Sequence, residues 1–326
     1  MFRPRYRISP SLLAAIKRTT IQVHELNKQH LADEVTAELR REVSALAGAA
    51  ATDGDEQAVL NYGRTLSELR NASAADFNLA LLLRIHYRFS RGLLPDEQRG
   101  RLRKETSSAG DPESEELSLD ALPADRLRYL PPEVKAAPVL LSELMSFVEA
   151  NQATLDPLLL AGIFHRRLLL IRPFAGGNEP VAWLATRVLL SGMGLKRFDL
   201  LAVEECFGGD RASYLAALGM RGNFYEADAL EFTPWLEYFA GGVSVGLCDL
   251  ERRQWQRQAT PATTLAAYHL AILAHVDENG FITDKEYASF TDRAKATRSL
   301  DFKKLIELGL LVREGKGRGT YYRRKR

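Results

Sequence analysis

The residues whose types and spacing could do chemistry are gathered in one turn, Arg172-Pro173-Phe174-Ala175-Gly176-Gly177-Asn178. Gly176 and Gly177 permit positive φ, and Asn178 can cap a following helix. A glycine turn feeding a helix start attracts anions, because backbone N–H groups and the helix dipole point at it. Arg172 adds a guanidinium, which stays protonated near pH 7 and so cannot be a general base. Two readings of Arg172 stand: a ligand for a phosphate or acidic partner group, or a solvated or ion-paired arginine at a helix end. His165 lies two helical turns earlier on about the same face; it is expected to be a packed framework histidine rather than a displaced base. Glu179 could reach a cation, but hard cations want several oxygen ligands, and its first-turn place suits the helix dipole better. No metal site and no catalytic residue is assigned. His24, His30, His86, His269 and His275 show no ligand spacing and are expected at the surface or the core edge. The basic run Arg99–Lys104 is expected to be a solvated face.

Two helices must position this turn. Asp156 and Pro157 make a good helix start, as N-cap and first helical residue. Pro173 stops that helix, since the residue before a proline is pushed from the α region. Pro180 stands at a permitted early position of the next helix, which is expected to end at Gly192 or Gly194. Elsewhere apolar spacing predicts helices over residues 10–48, from Thr52–Asp55 through Leu66, over Ala74–Phe89 and Pro138–Asn151, and around Arg211–Leu218 and Pro234–Leu250. Ser107–Glu116 reads as a polar loop, and Leu117–Tyr129 as a short hairpin. Glu251–Thr263, charged and proline-containing, is the best domain boundary.

The turn resembles the signature of Fic-domain proteins, His-Pro-Phe-x-Asp/Glu-Gly-Asn-Gly-Arg-x-x-Arg between two helices of an all-α core. The resemblance implies transfer of a nucleotide monophosphate, usually AMP from ATP, to a protein hydroxyl. In that pattern the histidine is the base, the acidic residue holds Mg²⁺, and the Gly-Asn turn and arginines hold phosphates. Pro173, Phe174, Gly177 and Asn178 match. Arg172 replaces the histidine, Gly176 the acid, Glu179 the second glycine, and Pro180 and Trp183 the arginines. Ile85–Phe89, Gly92 and Gly100-x-x-Arg103 look like the entry to the family's substrate-docking hairpin, and Arg128–Pro132 like its exit. Tyr214, Leu218, Asp228, Thr233 and Trp235 look like its closing helices. Many relatives carry an inhibitory helix with Ser-Ser-x-Ile-Glu-Gly; the equivalent here is Val43–Gly48, in which Ser44 and Gly48 fit and Ala47 replaces the glutamate. Base and brake are thus absent together, which favours an inactive domain.

Residues 263–326 spell helix, short helix, turn, longer helix and two-stranded hairpin, the order of a winged helix-turn-helix. Asp292 is expected to cap the longer helix. From Pro261 onward thirteen Lys/Arg oppose eight Asp/Glu, a net +5 in a chain of net +2. Arg293, Lys295, Thr297 and Arg298 are expected to face base edges, and Lys316, Arg318, Arg323 and Arg324 to meet phosphates. Dimerisation or packing is the competing use of such a module.

Composition bounds the rest. The chain has 326 residues, 46% of them apolar, enough for a sizeable core, and its overall charge implies no partner. Two cysteines, Cys206 and Cys248, exclude a disulfide scaffold or zinc site and suit a reducing cytoplasm. The Ala/Arg/Leu-rich composition looks bacterial. No signal peptide or membrane span is expected. The expected fold is mainly α: an N-terminal helical region at 1–100, an all-α Fic-like core with a short β-hairpin at 101–255, and a winged helix at 262–326. The expected function is a catalytically degenerate Fic-domain protein that binds duplex DNA as a transcriptional regulator, its Fic fold serving sensing or dimerisation. Two alternatives stay open: an atypical nucleotidyl or phosphoryl transferase, and a scaffold holding a protein at the docking hairpin. ATP and Mg²⁺ enter only under the transferase reading; otherwise no cofactor is expected. A homodimer is left open.

Overall fold

The computed structural model describes residues 2–29, 31–52, 54–104, 129–258, 265–315 and 317–325. The loop expected at Ser107–Glu116, residues 117–128 of the expected hairpin, and Lys316 lie outside them. Two compact units divide the chain, Met1–Gln254 and Trp255–Arg326. Residues on both sides of position 100 share one hydrophobic cluster, from Phe2 to Leu250.

The first unit is helical. In order it contains α1 (Pro10–Lys28), α2 (Asp33–Ala51), α3 (Glu56–Glu68), α4 (Leu79–Phe89), β1 (Tyr129–Leu130), α5 (Ala137–Asn151), α6 (Pro157–Ile171), α7 (Asn178–Leu190), α8 (Glu205–Gly208), α9 (Arg211–Leu218), β2 (Gly222–Asn223), α10 (Phe224–Asp228) and all but the last four residues of α11 (Thr233–Gln258). The single helix expected over 10–48 is two. Gln29 and Ala32 are extended, and Asp33 and Glu34 open the second helix, where acidic side chains complement the dipole. β1 pairs with β2 in parallel, Tyr129 opposite Gly222, so the described part of the expected hairpin joins a distant segment.

At the centre, α6 packs along α7. Asp156 caps α6 as expected, accepting from the Leu158 N–H at 2.9 Å. Every residue from Leu158 to Ile171 is buried, because all but His165, Arg166 and Arg167 are apolar. Its two arginines find internal partners, although Arg166 Nη1 and Arg167 Nε and Nη1 are buried without a hydrogen bond. Arg166 donates to the Leu218 and Ala227 carbonyls at 3.0 and 2.9 Å and lies over the Phe232 ring. Arg167 pairs with Glu143 and Asp228 and lies over Phe2. α7 ends at Leu190, and the left-handed turn follows at Gly194.

Close approach explains two neighbouring glycines in opposite ways. A Cβ at Gly242 would overlap the Phe207 ring, itself packed against Trp183, Tyr214 and Phe239. A Cβ at Gly241 meets nothing within 4 Å. Helix propensity favours alanine at either position by about 1 kcal/mol, whereas overpacking costs about 1–3 kcal/mol. Gly241→Ala is therefore expected to raise the urea midpoint, and Gly242→Ala to lower it. Equal shifts of one sign would contradict this packing.

The second unit contains α12 (Ala267–Asn279), α13 (Asp284–Ser289), α14 (Lys295–Glu307) and an antiparallel hairpin of β3 (Leu311–Glu314) and β4 (Tyr321–Arg324). This is the order of elements read from the sequence. Leu265, Ile272, Val276, Tyr287, Phe302 and Leu311 form its core. Thr283 and Glu286 make a reciprocal capping box on α13. Asp292 does not cap α14: that helix starts after an extended Ala294 with no side-chain cap.

Candidate functional site

The signature turn is held by hydrogen bonds to its own main chain, some local and some from Arg103. α6 ends at Arg172, which adopts φ 45° and ψ 63° and donates its N–H to the Leu168 carbonyl at 3.0 Å. Among the described residues Arg172 is the one non-glycine with positive φ. Such a conformation costs about 1–2 kcal/mol and persists only where neighbours hold it. Arg103 is the clamp. Its N–H donates to the Pro173 carbonyl at 2.9 Å, its Nε to the Arg172 carbonyl at 2.8 Å, and its terminal nitrogen to Pro132. Burial, and then the Arg172 charge, lower the Arg103 guanidinium from its usual value. Arg103 is thus not on a solvated face, as the run Arg99–Lys104 suggests; its main-chain bonds draw it inside.

Within the turn, the Asn178 side chain accepts from the Phe174 N–H and donates to the Phe174 carbonyl, both at 3.0 Å. It therefore closes the turn rather than capping α7 as expected; the N-cap is Gly177, with φ 67°. A Cβ at Gly177 would come within 2.8 Å of the Phe89 ring, so glycine is required there twice over. A Cβ at Gly176 would stand 3.1 Å from Leu94.

His86 lies beneath. Its ring stacks on Phe174 at 4.0 Å and 7°. Nδ1 accepts from the Gly100 N–H at 2.9 Å, which leaves Nε2–H to donate to the Gly176 carbonyl at 3.2 Å. Burial holds its pKa down to about 4. His86 and His269 are both buried, against the surface or core-edge place expected of them. The reason in α4 is spacing: His86 follows Leu82 and Ile85 on the buried stripe. His165 is a framework residue. Its nitrogens bond Thr186 Oγ1 at 2.8 Å and the Tyr214 hydroxyl at 2.7 Å, it packs against Trp183 and Trp235, and burial lowers its pKa to about 3.

Glu179, the nearest carboxylate in sequence, pairs with both terminal nitrogens of Arg211 at 2.9 and 2.8 Å. With glycine at 176 and Glu179 so engaged, the turn's residues do not fit a magnesium ion, and no step through one is derived. Among the described residues no group of three His, Cys, Asp or Glu side chains could hold a metal. What the turn retains is a glycine-lined main chain at a helix start beside Arg172 and Arg103. That arrangement can bind an anion but offers no general base. Arg103, Arg211 and His86 are the supporting residues that spacing alone does not reveal.

In the segment equivalent to the inhibitory motif, Ser44, Ala47 and Gly48 lie on α2, which packs on α3 and α7. Ala47 is fully buried, and Gly48 lets α2 approach Val59.

The expected DNA-facing arginines of the second unit are largely engaged. Arg293 holds Asp301 through two nitrogens at 2.7 and 2.9 Å and lies over Tyr268, while Asp301 also accepts from the Tyr287 hydroxyl. Arg298 holds Asp284 through two nitrogens, each at 2.9 Å. Arg323 pairs with Glu314 and Arg324 with Asp277. Lys295 is exposed at the start of α14, and Thr297 is half-buried. The outer face of α14 continues through Ser299, Leu300 and Lys303, all exposed.

Residues 76–190 match the sequence model of the Fic/DOC family. No curated protein matches the sequence. Three solved structures are similar in fold. A Fic family protein from Desulfovibrio desulfuricans G20 has a TM-score of 0.63 and 18% identity, over 99% of this chain and 98% of that one. A Fic domain containing signaling protein from Bacteroides thetaiotaomicron VPI-5482 has a TM-score of 0.55 and 14% identity, over 74% and 97%. Fic-1 from C. elegans has a TM-score of 0.52 and 15% identity, over 76% and 75%. At these identities the likeness speaks for the fold. No described helix is long and apolar enough to cross a membrane. With the family match, the helix–turn–helix geometry around Pro173, Phe174, Gly177 and Asn178 makes residues 76–190 the stretch of this chain that is similar to the Fic/DOC family.

Proposed function

We propose that this protein binds duplex DNA through its second unit, and that its Fic domain is a non-transferring platform for sensing or assembly. The observation that carries the DNA reading is the outer face of α14. Lys295, Ser299, Leu300 and Lys303 are exposed there, while Arg293 and Arg298 brace the helix start through Asp301 and Asp284. Such a face can offer lysines to phosphates and short polar or apolar side chains to base edges. The non-transferring reading rests on the turn, where Arg172 cannot accept a proton and the Glu179 carboxylate is tied to Arg211. Fic proteins generally move AMP or phosphate groups, so the transferase reading is tested in the same experiment.

Fluorescence anisotropy with a labelled duplex should give an affinity that falls steeply with salt. Lys295→Ala and Lys303→Ala should each lower the slope of log K against log salt by about one. Arg293→Ala should instead lower the unfolding midpoint of the second unit, because it strips the buried Asp301 carboxylate of its partner. Salt-insensitive or absent DNA binding would overturn the DNA reading. Transfer of α- or γ-phosphate label from ATP to any protein would overturn the non-transferring reading.

A further inference from the structure

A trough runs along α2 and α3, and no residue of the signature turn lines it. It encloses a cavity of about 460 Å³, and its lining includes Arg40, Arg41, Arg64 and Arg70 around Ala45 and Leu60. Two close approaches fix the antiparallel register of the pair: a Cβ at Gly48 would meet Val59, and one at Gly63 would meet Ser44. That register sets Arg40 and Arg41 beside the Arg70 end of α3, and Ala45 beside its Leu60 end. The trough is therefore graded, with Arg40, Arg41 and Arg70 at one end, Ala45, Val59 and Leu60 at the other, and Arg64 between them. Asp199 is the one acidic residue lining it, and it is shared by Arg40 and Arg70. Arg41 and Arg64 are exposed and have no ion-pair partner among the described residues, and Leu60 is 54% exposed. Three of the four positive charges are uncompensated, in a chain whose overall charge is only +2.

We infer that this trough docks an acidic amphipathic helix of a partner protein. Charge complementarity sets the sign: carboxylates meet the arginine end, and apolar side chains one or two turns away meet Ala45, Val59 and Leu60. Shape sets the class. Small ligands are held where walls bury most of their surface, whereas all of this lining comes from one helix pair, its trailing residues and Asp199. A helix laid into a two-helix groove buries its apolar stripe there and keeps its polar side in water. From Val59 to Ser67 the floor runs roughly 12 Å along α3, at 1.5 Å per residue, which is about two turns of a partner helix.

The test uses the full chain and a fluorescein-labelled synthetic helix of about 18 residues, with leucines at i, i+3 and i+7 and glutamates at one end. The acidic peptide should bind, and the same peptide with lysine for glutamate should bind at least tenfold more weakly. Arg41→Glu combined with Arg64→Glu should weaken the acidic peptide at least tenfold and reverse the preference, and Leu60→Gln should weaken it severalfold. All these side chains are exposed, so the thermal midpoint should hold, and duplex DNA affinity should be unchanged. Equal binding of both peptides, or no effect of the charge reversal, overturns the inference. So does displacement of the peptide by laurate, which would make this a small-amphiphile site, or loss of DNA affinity in the reversed variant, which would make it a nucleic-acid surface.

Discussion

Lowering the pH from 7 to 5 should cost the fold about 4 kcal/mol through two histidines alone. His165 and His86 are buried and neutral, with pKa values held down to about 3 and about 4. Burial is the first cause in both, because an imidazolium loses its hydration inside the core. In the unfolded chain each returns to about 6.5. Between pH 6.5 and about 4 the unfolded state therefore binds more protons than the folded one, and stability falls as pH falls. The slope approaches about 1.4 kcal/mol per pH unit for each histidine well below pH 6.5 and averages about 1 between pH 7 and 5. Carboxylates held below their usual range, such as Asp76 beside Ser73, release their stability only at lower pH, so the histidines own the upper window. His86→Gln isolates one of them. Its amide can accept from the Gly100 N–H and donate to the Gly176 carbonyl, as the neutral ring does. Urea denaturation at pH 7, 6 and 5 should show the His86→Gln slope shallower by about 1 kcal/mol per unit averaged over this range. Parallel slopes would mean that His86 is already solvated in the folded state.

Replacing Arg187 by alanine should cost about 3–5 kcal/mol, because it leaves a buried carboxylate unpaired. Arg187 and Glu204 are both buried, with nitrogen and oxygen 2.8 Å apart. Arg187 also donates to the Leu201 carbonyl at 2.6 Å, and the Tyr62 hydroxyl donates to Glu204 at 2.5 Å. Burial and then the Glu204 charge push the Tyr62 hydroxyl pKa well up, so Tyr62 remains a donor throughout the working range. One ion pair thereby ties α7 to α3 and to the segment before α8, and α7 starts at the signature turn. The pair itself need not be a net gain, since its desolvation offsets much of the attraction. Hence Arg187→Met with Glu204→Leu should recover most of the loss that Arg187→Ala causes. A double variant as unstable as the single one would show that the lost bonds to Leu201 and Phe198, not the stranded charge, set the cost.

Punctuation in the chain determined the framework. Asp156-Pro157 starts α6, Pro173 follows its last turn, and the glycine pair allows the tight reversal into α7, all because these residues restrict or free the backbone locally. The absence of a base and of an acidic residue in the turn is equally a property of the residue types. So is the order of three helices and a hairpin at the end of the chain, since its apolar periods switch from helical to alternating there.

Tertiary structure decided what the polar side chains do, because a partner distant in sequence leaves no local pattern. Arg103 lies in a basic run yet clamps the Arg172 and Pro173 carbonyls across 69 and 70 positions of chain. Glu179 is consumed by Arg211, and the Asn178 amide by the main chain of Phe174. Arg293 and Arg298, exposed by their place in the sequence, are drawn into ion pairs with Asp301 and Asp284. Cations left outside such pairs, Arg41 and Arg64 in the trough and Lys295 on α14, became distinguishable only once the others had found their partners, since free and paired arginines look alike until the chain is folded.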